Sequence, residues 1–438
     1  MPFQCTRSFI EHPPSLATAF SQVALAATLI FGTPLAHAAP LTFDEALRLA
    51  QERSLQLPAQ DAAAAAARDM AVAAGQRPDP VLKAGLNSLP VNGPDRFSLV
   101  RDNATMLSVG VAQELTRSSK LLARTSRFER EAELAEAGRE LVLANLQRDT
   151  AMVWLDRYFQ ERLQAVLASQ RDEASLQIDA ADASYRGGRG SQADGFAARS
   201  AVAQMEDRIA QVARQIATAT TQLTRWIGPM GGETLGPPPA LDAVRLRDYD
   251  LETQFAQHPQ IAVMFKQEAM AQADAEVARA NKQNDVSVEL TYSQRGSSYS
   301  NMVSVNLSVP LQWDRASRQD REISAKLAIA LQRRVEREES VRAHVAEVSA
   351  MLLEWRSDRE RLTRYDASLL PLATERTRAS IAAYRGATGS LAAVLEARRG
   401  EIDTRIERLR LEMEAARLWA QLNYLMPVGR NAPAVTRP

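Results

Sequence analysis

Histidine and cysteine, the side chains that most often ligate soft metals or act as base and nucleophile, are scarce in this sequence. His258 and His344 are the only histidines beyond residue 38, and the single cysteine, Cys5, stands near the N-terminus. Soft and borderline metals need clustered thiolate, imidazole or thioether ligands, and the sequence spells no such cluster. It also lacks a nucleophile elbow, a Gly-rich phosphate loop and a zinc motif. The expectation is a chain with no catalytic residues, no metal site and no cofactor. His258, just before Pro259, is expected to pack or to sit at a surface. What the sequence does offer is recognition chemistry, in two near copies of one turn. The first is YRGGRGS, comprising Tyr185, Arg186, Gly187, Gly188, Arg189, Gly190 and Ser191. The second is YRGATGS, comprising Tyr384, Arg385, Gly386, Ala387, Thr388, Gly389 and Ser390. Glycine lets a backbone reverse with positive φ, and its missing side chain lets another helix approach closely. Arg186 and Arg385 can donate to carbonyl or carboxylate groups. Glycine and serine also simply stop and start helices, a reading that leaves the shared Tyr-Arg unexplained.

Just inside each turn stands a carboxylate, Asp194 in the first copy and Glu396 in the second. Several such groups gathered at a narrow passage would favour cations. An acid at a helix start is equally well explained by the helix dipole alone.

Stepping outward from the turns, the same 199-residue offset pairs Glu161-Arg162-Leu163 with Glu360-Arg361-Leu362 and Leu223 with Leu422. Such a period signals internal duplication. The expected organisation is a first repeat over 39–230, a Pro/Gly-rich linker over 231–242, a second repeat over 243–427 and a tail over 428–438. Each repeat has one order of elements. The first opens at Thr42-Phe43-Asp44-Glu45, where Thr and Glu can cap a helix reciprocally, and continues as an alanine-rich helix to about Gly75. Strands are expected near 81–89 and 105–115, then near 285–294 and 302–311 in the second repeat. The clearest alternation puts Val286, Val288, Leu290 and Tyr292 on one face of its strand, and Val303, Val305 and Leu307 on one face of the next. No proline interrupts Ser118 to Tyr185, where Leu155, Phe159, Leu163 and Val166 or Leu167 recur at helical spacing. At 1.5 Å per residue that helix would be roughly 100 Å long.

The first 38 residues read as an export signal. An apolar run from Leu16 to Phe31 follows Arg7, and Ala36-His37-Ala38 is a small-x-small cleavage site. Cleavage after Ala38 would remove Cys5 and leave a chain unable to form disulfides. The remainder has no apolar stretch of about 18 residues to span a bilayer as a helix. Lys plus Arg equals Asp plus Glu at 53 each, so the charge balance points to no nucleic acid.

Strands of about ten residues, apolar on one face, suit a membrane barrel, although the same alternation serves a small sheet packed on helices. Export and the pairing of strand hairpins with long helical hairpins favour the barrel. Four strands cannot close one, because an open edge in lipid leaves backbone groups unsatisfied. Chains must therefore pool strands, two giving eight and three giving twelve with room for a channel.

The two-fold repeat of helix, strand hairpin and long helical hairpin, with its two turns, resembles the TolC family of outer-membrane efflux channels from LTFDEALRLA (41–50) to LWAQLNYLMP (418–427). Within it, GQRPDPVL (75–82), GLNSLPVNGPDRFSL (85–99) and VAQELTRSSKLLART (111–125) look like the heavy-metal efflux branch of CusC/CzcC-like channels. The resemblance implies a mainly α protein with a membrane β-barrel, a homotrimer whose twelve-stranded barrel in outer-membrane lipid continues into a periplasmic α-helical barrel. It implies a periplasmic adaptor (membrane fusion protein), docked at the turns 185–191 and 384–390, and an inner-membrane pump of the resistance-nodulation-division type. Family members often carry carboxylates at the start of the second returning helix. Here those positions hold Ala393 and Glu396, while the first repeat holds Asp194 and Ala197, so the ring of acids would be assembled from both repeats. Organic solutes, drugs or a secreted polypeptide are alternative cargoes, and a periplasmic coiled-coil adaptor or scaffold is the alternative of a different class.

Overall fold

The computed structural model describes residues 40–188, 190–245 and 258–429. The expected signal segment, Arg189 of the first turn and the end of the tail lie outside the described residues.

Helix α1 (Phe43–Arg53) starts where the Thr42 hydroxyl accepts the Glu45 amide at 3.2 Å. The expected reciprocal bond is not made, because the Glu45 carboxylate turns to Arg48 on the next turn of the same helix. The alanine-rich helix is also two helices. Ser54 is extended (φ −64°, ψ 123°), and α2 (Gln56–Ala74) begins afresh. Pro58 supplies the reason: with no N–H it is tolerated only in a first turn, so a new helix starts just ahead of it.

Four antiparallel strands form one sheet in sequential order: β1 (Val81–Asn87), β2 (Met106–Leu115), β3 (Val286–Gln294) and β4 (Met302–Ser308). The pairing sets Leu82, Val111, Leu290 and Val305 in one cross-strand row, and Ala84, Val109, Tyr292 and Val303 in a second row on the same face. Lys83, Gly110, Thr291 and Ser304 share the opposite face, where Lys83 Nζ also reaches Glu289 at 2.6 Å. Only glycine fits at 110, since a Cβ there would lie 2.6 Å from Thr291 Oγ1 and 2.9 Å from the Leu290 carbonyl. The sheet thus has one continuous apolar face, and that face is open: Val305 is 70% exposed.

Two strands end earlier than the alternation suggests. β1 stops at Asn87 because Ser88 takes φ +57°, which turns the chain toward Pro90. β4 stops at Ser308, paired with Ser287, although Val309, Leu311 and Trp313 continue its apolar face. Beyond that point β3 offers almost no further residues to pair with, and Pro310 has no N–H to donate.

The helices are long. α3 (Ser118–Arg186) runs unbroken for 69 residues, and α4 (Gln192–Ile227) returns along it. In the second repeat α5 (Pro259–Asn281) precedes β3; α6 (Gln319–Arg364) follows β4 and leads through a π-helical turn (Tyr365–Leu369) into α7 (Leu370–Arg385), and α8 (Leu391–Asn423) returns. The π turn stands immediately before Pro371, whose missing N–H breaks the regular ladder; α3 has no such residue.

The core gathers where α1, the middle of α3 and the ends of α4 and α8 meet. Phe43 packs edge-on against Trp154 (centroids 5.4 Å) and Trp419 (6.0 Å). Leu155, Phe159, Leu163 and Leu167 are all buried, which settles the helical stripe on Leu167 over Val166. Positions matched by the repeat share their burial: Leu163 with Leu362, and Leu223 with Leu422. The segment after α4 is held to the core, since buried Arg157 donates to the carbonyls of Gly231 (2.5 Å) and Glu233 (2.8 Å). Leu41 bridges to Leu235 beside it. The start of the tail is fixed as well, by paired bonds between Gln147 and Val428 at 2.8 and 3.0 Å. Among the described residues no helix is long and apolar enough to cross a membrane.

Candidate functional site: two helical turns and the groove beneath them

Both turns close by the same bonds. At the end of α3 the Gly187 amide donates to Ala183 O (3.0 Å), Gly188 to Tyr185 O (3.0 Å) and Gly190 to Ser184 O (3.2 Å). At the end of α7 Gly386 donates to Ala382 O (2.9 Å), Ala387 to Tyr384 O (3.1 Å) and Gly389 to Ala383 O (3.0 Å). The reversal itself is not made at the first glycine of either motif. Gly187 and Gly386 keep negative φ, −82° and −79°, while Gly188 (φ +71°) and Ala387 (φ +60°) take the left-handed conformation. Close approach likewise falls elsewhere. A Cβ on Gly389 would meet Ala383 Cβ at 3.0 Å, and one on Gly190 would meet Ser184 Oγ at 2.8 Å, whereas at Gly386 nothing comes nearer than 3.4 Å. Gly190 and Gly389 therefore serve the hairpin's own packing. Gly386 leaves its surface open.

Around these bonds the turns are solvent-facing. Tyr185 is 54% exposed, and Arg186, Arg385 and Thr388 are exposed, whereas Tyr384 is half-buried. Arg186 Nε leans back to Asp182 O at 3.3 Å. Thr388 anchors its turn through its hydroxyl on Ala383 O at 3.1 Å.

The two carboxylates have local partners. Asp194 closes a capping box: Ser191 N donates to Asp194 Oδ2 (3.0 Å) and Asp194 N to Ser191 Oγ (3.3 Å). Ser390 caps α8 the same way, accepting the Ala393 amide at 3.2 Å, but Ala393 has no carboxylate to return the bond. The acid absent from the second repeat is thus half of a cap. Glu396 pairs with Arg376 at 3.0 Å across α7 and α8.

Beneath the turns the structure brings together residues that sequence reading did not connect. A cavity of about 380 Å³ opens between α3, α4 and α8, lined by Gln170, Glu173, Met205, Leu395 and Ile402 among others. Its sides are tied by Arg398–Glu173 (2.9 Å) and Arg208–Asp403 (3.3 Å). Each pair joins the first repeat to the second, so no local motif could reveal it. Deeper, Glu401 is buried on α8 and accepts from Thr374 of α7 (3.1 Å) and from Arg405 (2.6 Å).

His258 and His344 also meet, with ring centroids 4.3 Å apart and both side chains buried. His258 Nδ1 accepts the Gln260 amide at 3.3 Å as the N-cap of α5. Burial, then the neighbouring His344 and Arg148, push its pKa down to about 4; burial also lowers that of His344. Among the described residues no group of three or more His, Cys, Asp or Glu is placed to hold a metal ion.

No protein-family model matches the sequence, and no curated protein matches it. Solved structures do. The outer-membrane channel OprN shares 16% identity at a TM-score of 0.73, over 88% of this chain and 90% of that one. CusC, described for its folding and transmembrane channel formation, shares 15% at 0.74, over 89% and 93%. The outer membrane protein VceC of Vibrio cholerae shares 15% at 0.73, over 87% and 95%. At these identities the likeness establishes the fold: the chain folds as outer-membrane channels do, mainly helical with a short-stranded sheet.

Proposed function

We propose that this protein is an outer-membrane channel, the exit duct of a tripartite efflux system, and not an enzyme. The observation that carries the proposal is the sheet. Its continuous apolar face is exposed, and among the described residues β1 and β4 both leave an edge unpaired. In water such a face and such edges invite aggregation, while in lipid the face is solvated and the edges must be paired with other chains. The helices repeat the asymmetry. α3 lies between α2 and α5, but among the described residues α6 has only α5 on the corresponding side, and Leu327, Ile329, Leu331 and Val335 of α6 stay exposed. A second chain's α2 and β1 beside α6 and β4 would complete both layers, and three chains would close a ring with room for a passage.

In this reading the turns lie at the far end of the helices from the barrel, in the periplasm, and a periplasmic adaptor coupled to an inner-membrane pump of the resistance-nodulation-division type docks there. The outward-facing Arg186, Arg385 and Tyr185 and the open surface at Gly386 support it. Heavy-metal cations are the proposed cargo, on the resemblance of segments 75–82, 85–99 and 111–125; CusC stands level with OprN and VceC in structural likeness, so the fold does not select a cargo. The test is extraction of the protein from outer membranes in detergent, with mass measurement and single-channel recording. A conducting trimer is expected, and a folded, membrane-free monomer refutes the proposal. Deleting the gene and measuring resistance to metal salts against resistance to organic drugs tests the cargo.

A further inference from the structure

One junction inside the chain is closed by a polar clasp, and its counterpart between chains is left open. Where β2 runs into α3, Asp285, standing just before β3, accepts the Arg117 amide at Oδ1 (3.1 Å) and Lys120 Nζ at Oδ2 (2.6 Å). Arg117 Nε adds a bond to Asn284 O (2.9 Å). The ion pair is nearly dry, with Lys120 8% and Asp285 14% exposed. This clasp fixes the first repeat's strand-to-helix step against the second repeat's helix-to-strand step.

Both halves of the clasp are spelled again. Arg117-Ser118-Ser119-Lys120 recurs as Arg315-Ala316-Ser317-Arg318 after β4, and the aspartate that precedes β3, Asp285, has its counterpart before β1 in Asp79. The alternation agrees, since Leu82 and Val288, three residues past either aspartate, lie on the same apolar face. Within one chain the second set has no way to meet, because β1 and β4 are opposite edges of the sheet. Asp79, Arg315 and Arg318 are all exposed. Two acids close to the arginines in sequence are already engaged: Asp320 by Lys282 (2.6 Å) and Asp314 by the Ser317 amide (3.0 Å).

Resting on the ring reading above, we infer that Asp79 of one chain clasps the next chain, accepting the Arg315 amide and the Arg318 guanidinium, and so sets the register in which β1 pairs with β4 of its neighbour. A carboxylate taking one backbone N–H and one cation is specific for position as well as charge. Register needs such a device here, because a one-residue slip between chains would turn an apolar face to the lumen. The partner is a second copy of this chain.

The experiment begins with the mass of the wild-type protein in detergent. Three chains uphold the ring; a monomer removes the ring and the clasp together. Charge reversal then tests the clasp alone. Asp79→Arg and Arg318→Asp should each cut the heat-resistant trimer at least fivefold, and Asp79→Arg with Arg318→Asp in the same chain should return it to within twofold of wild type. Singles at the wild-type level, or a double no better than the worse single, overturn the clasp while leaving the ring. In a Cys5→Ser background, Asp79→Cys with Arg318→Cys should give disulfide-linked dimers and trimers of chains under mild oxidation. Monomers alone in that assay, from a protein that is trimeric by mass, overturn it also.

Discussion

Arginine in place of Val305 tests which face of the sheet meets lipid. Val305 lies mid-strand in the row Leu82, Val111, Leu290 and Val305, on the exposed apolar face. A cation facing lipid at the bilayer midplane costs about 2 to 4 kcal/mol. One copy comes from each of three chains, so the assembled ring loses about 6 to 12 kcal/mol if the copies act independently. The neighbouring Asn306 points to the other face, directly across from Glu289, where an arginine gains a carboxylate and stays in water. Val305→Arg should therefore lower trimer in the outer-membrane fraction by at least tenfold, and Asn306→Arg should leave it within twofold. The assay is membrane fractionation followed by unboiled gel electrophoresis and blotting. Equal loss in both variants, or Val305→Arg trimer at the wild-type level in the outer-membrane fraction, would refute the assignment of faces.

Further predictions concern the turns and the histidine pair. Ala387→Gly should raise stability by about 1 kcal/mol and Gly188→Ala lower it by about 1 kcal/mol, because a Cβ in the left-handed region costs about that much; thermal melts of the extracted protein read both. Ala393→Asp should complete the capping box at Ser390 and add about 0.5 to 1 kcal/mol, by the same measurement. Gly386→Val should abolish efflux while trimers remain in the outer membrane if an adaptor docks at that open surface, whereas Gly389→Val, which collides with Ala383, should reduce the trimer itself. Crosslinkers at Thr388 and Arg189 should capture the adaptor, and failure at both in cells with working efflux would put the partner elsewhere. The unfolded chain protonates His258 near pH 6.5 and the folded chain only at about 4, so stability is full above pH 6.5 and declines as pH falls toward 4, by roughly 3 kcal/mol at most. His258→Asn keeps an N-cap and should remove that part of the acid dependence in denaturant titrations at pH 4.5 and 7.5.

Much of the scaffold is written in short-range pattern. The strands are legible because alternation with period two survives in Val286 to Tyr292 whatever lies around it, and α3 is legible because nothing between Ser118 and Tyr185 forbids a helix. The split between α1 and α2 was equally available, in Pro58, but alanine content hid it. The turns show where pattern gives out. Sequence identifies glycines yet says nothing of which one carries positive φ, and Ala387, with no glycine's licence, fills the position that Gly188 fills in the other repeat. The groove under the turns has no local signature, since Glu173 meets Arg398 only after two hairpins are laid side by side. Asp194 could be placed at a helix start from sequence, but only the bond to Ser191 N shows that its carboxylate is occupied in the cap.

The π turn before Pro371 has a consequence for the tips. Counting from Leu163 to Tyr185 and from Leu362 to Tyr384 gives the same number of residues, yet the second path spends one residue on the wider turn. A helix advances about 100° and 1.5 Å per residue, so the second tip is set back by about one residue's rise and rotated by about a quarter turn relative to the first. That phase shift accords with Tyr185 standing out while Tyr384, in the same motif, is half-buried. If three chains form the proposed ring, its six nearly identical turn sequences present two alternating stereochemistries. A partner with a single kind of hairpin would find three equivalent seats there, or two sets of three unequal ones, but never six alike.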